Sequence, residues 1–262
     1  MKKKLGLALG SGGSRGAAHI GLLKALEEEG IKPYCIAGSS IGSVVGGAYA
    51  SGMSVEEMQT LVCELKKWDL VSPNFSFTEK AIFDTKKIHN LLKKYLRKEK
   101  IEDFDIKFAC VATDVLSGKE HVFTDGDAAL AIEASSAIPA IFKPVKLGEK
   151  LLVDGGCVCR VPVREVKELG ADVVIAMDVL KNTSEPVKKV SGLLNMVLRV
   201  FDIMDAQNSA HQARLNEKLC DLLLEPEIKG LSQHKVKDLP RAFNEGYALA
   251  KENMQKIKEL IS

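Results

Sequence analysis

Cys35-Ile36-Ala37-Gly38-Ser39-Ser40-Ile41-Gly42-Ser43 reads as a buried strand that runs into a sharp turn and leaves as a helix. The turn carries Gly-x-Ser-x-Gly with Ser40 at its centre. A serine at such a strand-to-helix turn sits on a strained backbone with its hydroxyl pushed outward. The chain passes close to itself there, so the positions two before and two after must lack a large side chain. Gly38 and Gly42 meet that demand. Only one register fits: Ser39 would need glycines at Ala37 and Ile41, and Ser43 at Ile41 and Val45. A helix that begins at the serine aims its free N–H groups and positive dipole end at any negative charge developing beside it. The same five-residue pattern also arises in glycine- and serine-rich turns that do no chemistry, so the surrounding chain has to decide.

Upstream, Leu5-Gly6-Leu7-Ala8-Leu9 is a short apolar run of strand type. Gly10-Ser11-Gly12-Gly13-Ser14-Arg15-Gly16 is a loop, and 17–29 has helical spacing, with Ala18, Leu22 and Leu26 four apart. Strand 34–37 then feeds the turn. Strand, glycine loop, helix, strand, turn, helix predicts parallel strands joined by crossover helices. The glycine loop is not a dinucleotide fingerprint. Counted from Gly10, the third glycine slot holds Arg15; counted back from Gly13 and Gly16, the first slot holds Ser11. No acid closes the second strand to hold a ribose, and Gly-Lys-Ser/Thr is absent. The loop can still present backbone N–H groups to an anion.

The bulk numbers set limits. A chain of 262 residues suits one large domain or two small ones. With 46% apolar and 27% charged residues it can bury a substantial core. Lys plus Arg is 37 and Asp plus Glu 35, a net charge of +2, which gives no argument for nucleic acid. The six cysteines are scattered, and Cys157-Val158-Cys159 has no partner at zinc-site spacing. We therefore expect reduced thiols, no metal, no cofactor and a cytoplasmic location. The start is basic, but the apolar run after it breaks at Gly10-Ser11-Gly12-Gly13, too soon for a signal peptide's core. No apolar run is long enough to predict a transmembrane helix.

Further along, Ser54 should cap a helix over 55–67, with an irregular loop over 72–82. A basic helix over 84–98 carries Lys86, Lys87, Lys93, Lys94, Arg97 and Lys98, a solvated face or a contact for anionic lipid head groups. Strands are expected at 106–113 and 121–123, a helix at 128–136, a hairpin of 145–147 with 150–153, a helix at 161–169 and a buried strand at 172–177. Apolar helical spacing over 193–204 suggests core packing, a lid or a membrane contact. A short strand at 220–224 and one closing helix at 241–260 complete the chain.

A serine hydroxyl is a weak nucleophile until a base takes its proton. Of the histidines at 19, 89, 121, 211 and 234, none stands out, and His19, just behind the glycine loop, is the hardest to dismiss. Carboxylates at strand ends are the alternative: Asp114, Asp154 and Asp178. Asp154 is the most suggestive, because an apolar strand delivers it and Gly155 and Gly156 leave room beside it. Asp-Gly is also a common hairpin signal, and Asp125-Gly126 competes. The residues alone leave the base open.

Three features occur in order: Ser11-Gly12-Gly13-Ser14-Arg15-Gly16, Gly38-Ser39-Ser40-Ile41-Gly42 and Asp154-Gly155-Gly156. With the stretch Ala134-Ser135-Ser136-Ala137-Ile138-Pro139-Ala140-Ile141-Phe142-Lys143-Pro144, this set resembles the patatin-like phospholipase family over roughly residues 5–180. The resemblance implies a three-layer α/β sandwich with a mainly parallel central sheet. It implies a Ser40–Asp154 dyad without a catalytic histidine, and an oxyanion hole in the Gly12, Gly13, Ser14, Arg15, Gly16 loop. Gly38, Gly42, Gly155 and Gly156 would support the turn and the base. One departure is Ser11, where the family's loop often has its first glycine. The implied domains are a catalytic one over 1–180 and a mostly helical extension over 181–262 packed on it. The implied activity is hydrolysis of acyl-lipid esters, of phospholipase A, lysophospholipase or esterase type, with peripheral membrane contact. A lipid-binding regulatory protein with little turnover and an acyltransferase are the alternatives. Calcium has no ligand loop here.

Overall fold

The computed structural model describes residues 2–65, 86–180, 190–193, 196, 197, 199–201, 203, 204, 219–228, 230, 231 and 238–262. The loop expected over 72–82, His211 and His234 lie outside them, as do the side chains of Cys63, Lys86, Lys87, Leu194 and Leu198.

Among the described residues, eight strands form one sheet: β1 (Leu5–Leu9), β2 (Cys35–Ser39), β3 (Lys107–Asp114), β4 (Lys119–Phe123), β5 (Val145–Leu147), β6 (Lys150–Asp154), β7 (Val173–Met177) and β8 (Leu222–Leu224). Their order is β5-β6-β3-β2-β1-β7-β8, with β4 also paired to β3. β3, β2, β1, β7 and β8 run parallel. β4 and β6 pair antiparallel with β3, and β5 antiparallel with β6. The fold is thus mixed α/β around a mainly parallel sheet. Its parallel strands are buried on both faces, which is why they read as unbroken apolar runs.

Among the described residues, the helices that frame the sheet are α1 (Ala17–Glu28), α2 (Ile41–Ala50), α3 (Val55–Leu65), α4 (Lys86–Tyr95), α5 (Ala128–Ser135), α6 (Val163–Glu168), α7 (Leu239–Glu252) and α8 (Met254–Ile261). Alternate strand residues divide the core. Leu7, Leu9, Ile36, Phe108, Ile175 and Met177 face the larger layer, which includes residues of α1, α2, α5, α7 and α8. Ala8, Cys35, Ala37, Ala109, Val174 and Ala176 face the thinner one, where Val163 and Val166 of α6 pack. Gly6 lets α6 approach, since a Cβ there would lie 2.2 Å from Val166 Cγ1.

Local chemistry explains several boundaries. Ser54 and Glu57 form a reciprocal cap at the start of α3: Glu57 N–H donates to Ser54 Oγ at 3.2 Å and Ser54 N–H to Glu57 Oε2 at 2.9 Å. Asp127 Oδ1 accepts the Leu130 N–H at 2.9 Å and caps α5. The single closing helix expected over 241–260 is corrected to two. Asn253 (φ −94°, ψ 4°) breaks it, with its Nδ2 donating to Leu249 O at 2.9 Å, so the side chain competes with the backbone ladder. α7 lies directly on α1, where Cβ atoms at Gly21 and Gly246 would sit 2.3 Å from Phe243 O and 2.2 Å from Ala18 O. Residues beyond 180 thus complete both the sheet, through β8, and its larger helical layer.

The basic face expected at 84–98 is partly committed. Arg97 pairs with Glu57, and Lys98 Nζ lies 2.6 Å from Asp105 Oδ1.

Candidate active site

The turn after β2 brings Ser40 to the carboxyl end of the parallel strands. Ser40 has φ 52° and ψ −123°, in the left-handed half of the map that non-glycine residues avoid. Such a conformation costs about 1–3 kcal/mol and persists only when its surroundings fix it. Here they do. Ser40 N–H donates to Ser135 Oγ at 3.0 Å. Ser40 O accepts from Ser43 Oγ at 2.6 Å, Ser43 N at 2.9 Å and Val44 N at 3.2 Å. The flanking glycines are sterically required. A Cβ at Gly38 would lie 2.4 Å from Gly42 O, and one at Gly42 would lie 2.0 Å from Leu9 O.

β3 positions the second group. Val111 pairs with Ser39 on β2 and with Val122 on β4. Ala112 pairs with Asp154 on β6 and with His121 on β4. A strand has two edges and β4 occupies one, so β2 and β6 follow each other along the other. Asp154 therefore arrives one register step beyond Ser39. Gly155 fits because it carries no Cβ, which would meet Val111 O at 2.0 Å. Ser40 Oγ donates to Asp154 Oδ2 at 2.6 Å. Asp154 Oδ1 accepts from Gly156 N at 2.8 Å, which fixes the plane of the carboxylate. The backbone is held as well: Thr113 Oγ1 donates to Asp154 O at 2.8 Å and Asp154 N–H to Ala137 O at 3.0 Å. Ser40 and Asp154 are each 7% exposed, so this hydrogen bond has little competition from water.

The glycine loop lies alongside. Gly10 N–H donates to Met177 O at 3.1 Å and Ser11 N–H to Arg160 O at 3.0 Å. Gly13–Gly16 is a single 3-10 turn, in which Arg15 N–H donates to Gly12 O at 3.2 Å. Gly16 seats the loop against the residue after Ser40, since a Cβ there would lie 2.3 Å from Ile41 Cγ1. Gly13 and Ser14 are its half-buried members. Arg15 bonds across the fold. Its buried guanidinium donates to Leu231 O, at 2.8 Å from Nε and 2.5 Å from Nη2, and so ties the loop to the C-terminal part of the chain.

The other candidates fall elsewhere. His19 is fully buried, and its Nε2–H donates to Gly10 O at 2.8 Å, leaving Nδ1 without a partner. Burial lowers its pKa to about 4, so the ring is neutral and braces the loop. Asp178 pairs with Arg160 at 2.9 Å, both almost fully buried, and also accepts Leu180 N–H at 2.8 Å. Asp114 closes the β3–β4 turn by accepting from Ser117 Oγ at 2.6 Å, and Asp125 is exposed. His89 Nδ1 lies 2.8 Å from Glu133 Oε2, and Lys150 Nζ lies 2.8 Å from His121 Nδ1. Cys35, Cys110 and Cys159 are free thiols. Glu120, Cys159 and Glu165 come close enough to hold an ion, but Arg164 already pairs with both carboxylates.

Sequence reading missed the supporting residues Ser43, Thr113, Ser135 and Arg160. Ser135 stood within a quoted stretch, but nothing in its spacing announces that its hydroxyl meets the N–H of Ser40.

A serine and a carboxylate paired at the carboxyl end of a mainly parallel sheet, beside a glycine loop, define an α/β fold with a candidate hydrolytic site. Residues 7–167 match the model of the patatin-like phospholipases, and the chain belongs to that family. An uncharacterized NTE family protein of Mycobacterium tuberculosis is 36% identical over 214 residues, covering 78% of this chain and 59% of its own length. Lysophospholipase nte1 of Emericella nidulans is 30% identical over 286 residues, 98% of this chain but 18% of that protein. The chain thus spans between about a fifth and three fifths of these relatives. Among solved structures, VipD from Legionella pneumophila superposes with a TM-score of 0.58 at 13% identity, over 97% of this chain and 67% of that one. ExoU of Pseudomonas aeruginosa, in complex with SpcU, gives 0.54 at 15% identity, over 100% and 53%. These two likenesses concern the fold alone. Among the described residues, no helix is long and apolar enough to cross a membrane.

Proposed function

We propose that the chain is a serine acyl hydrolase acting on acyl-lipid esters, with Ser40 as nucleophile and Asp154 as its base. The observation that carries this reading is the 2.6 Å hydrogen bond from Ser40 Oγ to Asp154 Oδ2 at the strained turn. Family membership and the lysophospholipase relative support a lipid ester as substrate, with a lysophospholipid as the first to test. Asp154 takes the Ser40 proton as Oγ attacks the carbonyl carbon. Negative charge moves to the carbonyl oxygen, where N–H groups of Gly12 and Gly13 receive it, helped by the positive end of α2. Arg15 contributes by anchoring that loop rather than by touching the oxygen. As the tetrahedral intermediate collapses, the leaving alkoxide recovers the proton from Asp154 and Ser40 keeps the acyl group. Water, deprotonated by Asp154, then releases the acid and restores the serine.

Ser40→Ala and Asp154→Asn should each lower hydrolysis of a short p-nitrophenyl ester by roughly 10³-fold or more. Asparagine keeps an oxygen for Gly156 N–H, so the fold should survive, as circular dichroism would check. Near wild-type turnover by Asp154→Asn would refute the pairing. A fluorophosphonate probe should label wild type and not Ser40→Ala; no labelling of either would favour a binding protein. Transfer to an added alcohol in preference to water would favour an acyltransferase.

A further inference from the structure

We infer that the β3–β4 turn is the part of this chain that seats on an anionic lipid surface. Among the described residues up to 180, the large apolar side chains exposed to solvent are Leu91 at 38%, Val115 at 51% and Leu116 at 69%. The last two are adjacent, at the tip of the β3–β4 hairpin. This turn is rigidly built. Asp114 Oδ1 accepts Leu116 N–H at 3.2 Å and Leu151 N–H at 3.2 Å, while its Oδ2 accepts Ser117 Oγ at 2.6 Å. Val115 N–H donates to Leu151 O at 2.9 Å, and Gly118 N–H to Asp114 O at 2.8 Å. The fold commits a carboxylate and five hydrogen bonds to holding two apolar side chains out in water.

Charge surrounds that tip. Lys119 pairs in register with Asp114, Lys146 with Leu151 and Lys150 with Leu147, so all three lysines stand at the level of the turn, and all are exposed. The one exposed acid beside them is Glu149; Asp114 is used within the turn, and Glu120 is paired with Arg164. An apolar tip ringed by cations matches an anionic bilayer, where apolar groups enter the acyl boundary and lysines meet head groups. Two side chains are far too small a patch for a specific protein partner, which needs about 800 Å² per side.

The tip is also correctly placed for the proposed reaction. Asp154 pairs with Ala112, and Leu116 lies four residues further along the same direction. At about 3.3 Å per residue, the tip stands on the order of 10 Å beyond Asp154, on the rim that carries Ser40. The inference rests on the proposed function only for the idea that the substrate is a lipid. Vesicle binding is measured without turnover, so the two can fail separately.

The experiment is flotation of the full chain with phosphatidylcholine vesicles, with and without phosphatidylglycerol. Binding should require phosphatidylglycerol and weaken with salt. Leu116→Asp should weaken it by about tenfold or more, and Lys119→Ala or Lys150→Ala by about fivefold each. Hydrolysis of a short soluble ester by Leu116→Asp should equal that of wild type, which also verifies its fold. A gentler probe is Leu116→Trp in a Trp68→Phe background, Trp68 being the only tryptophan; its emission should shift to the blue on adding the anionic vesicles. Leu193, 82% exposed, offers a competing contact, tested by Leu193→Asp. The inference is overturned by no binding, by equal binding to both lipids, by unshifted emission from the Leu116→Trp variant, or by binding lost in Leu193→Asp but kept in Leu116→Asp.

Discussion

The two ends of this sheet handle polar groups in opposite ways. At the carboxyl end, Ser40, Asp154, His19, Arg160 and Asp178 are all buried and held by specific partners. At the amino end, charges meet in the open: Glu29 with Lys251 and Lys258, Arg97 with Glu57, Lys98 with Asp105. Buried polar groups are costly when a partner is lost, whereas exposed ion pairs are shared with water and salt. The difference teaches where this fold is brittle. The end that carries the candidate chemistry is built from interactions that tolerate little change, and the other end from interchangeable ones.

That contrast can be broken at several points. The largest effect should come from Asp178→Ala, which breaks the buried ion pair with Arg160 and should cost about 3–5 kcal/mol in urea unfolding. A loss under about 1 kcal/mol would erase the distinction between the two ends. Next is His19. The folded ring has a pKa of about 4 against an ordinary 6.5, so between those values the unfolded chain binds a proton that the folded one refuses. Stability should be constant above that window and fall as pH drops through it, by up to about 3 kcal/mol. His19→Gln, which keeps a donor for Gly10 O, should flatten the profile. Gly42→Ala should then cost about 2–3 kcal/mol, because its Cβ meets backbone rather than a flexible side chain. Gly148→Ala, in a turn with open space and φ 58°, should cost only about 1 kcal/mol.

The smallest effect belongs to the amino end. Lys251 and Lys258 hold the Glu29 carboxyl down to about 2, so its contribution is present above the usual glutamate range and is lost as pH falls toward 2. Glu29 is half-buried but its pairs with Lys251 and Lys258 reach solvent, so Glu29→Gln should change the unfolding midpoint little, and added salt should remove even that difference. A large loss there would mean that the amino end is as specifically built as the other.

Much of the carboxyl end was legible from the chain. β1, the glycine loop, α1, β2 and the turn at Ser40 follow from apolar runs and glycine placement. The hairpin around Gly148 and Glu149 and the strand expected over 172–177, observed as β7, follow from the same signals. What stayed hidden was pairing. No local pattern tells that β6 takes up the edge of β3 where β2 leaves off, because register is a property of two segments at once. Resemblance placed Arg15 in the glycine loop, but no local pattern announces that its guanidinium bonds Leu231 O, over two hundred residues away. Asn253 lies inside the single helix expected over 241–260, and no sequence signal announces that its side chain bonds Leu249 O and ends α7.

Because one edge of β3 takes both β2 and β6, the separation of Ser40 from Asp154 does not depend on how much chain intervenes. The excursion that leaves after α2 and the one that crosses through β4 and α5 can lengthen, shorten or acquire new segments, provided Val111 and Ala112 keep their partners. A slip of one residue in β6 would instead turn the carboxylate to the opposite face. The fold therefore leaves its peripheral loops free to diversify toward different substrates, while concentrating its intolerance of change in two adjacent peptide units.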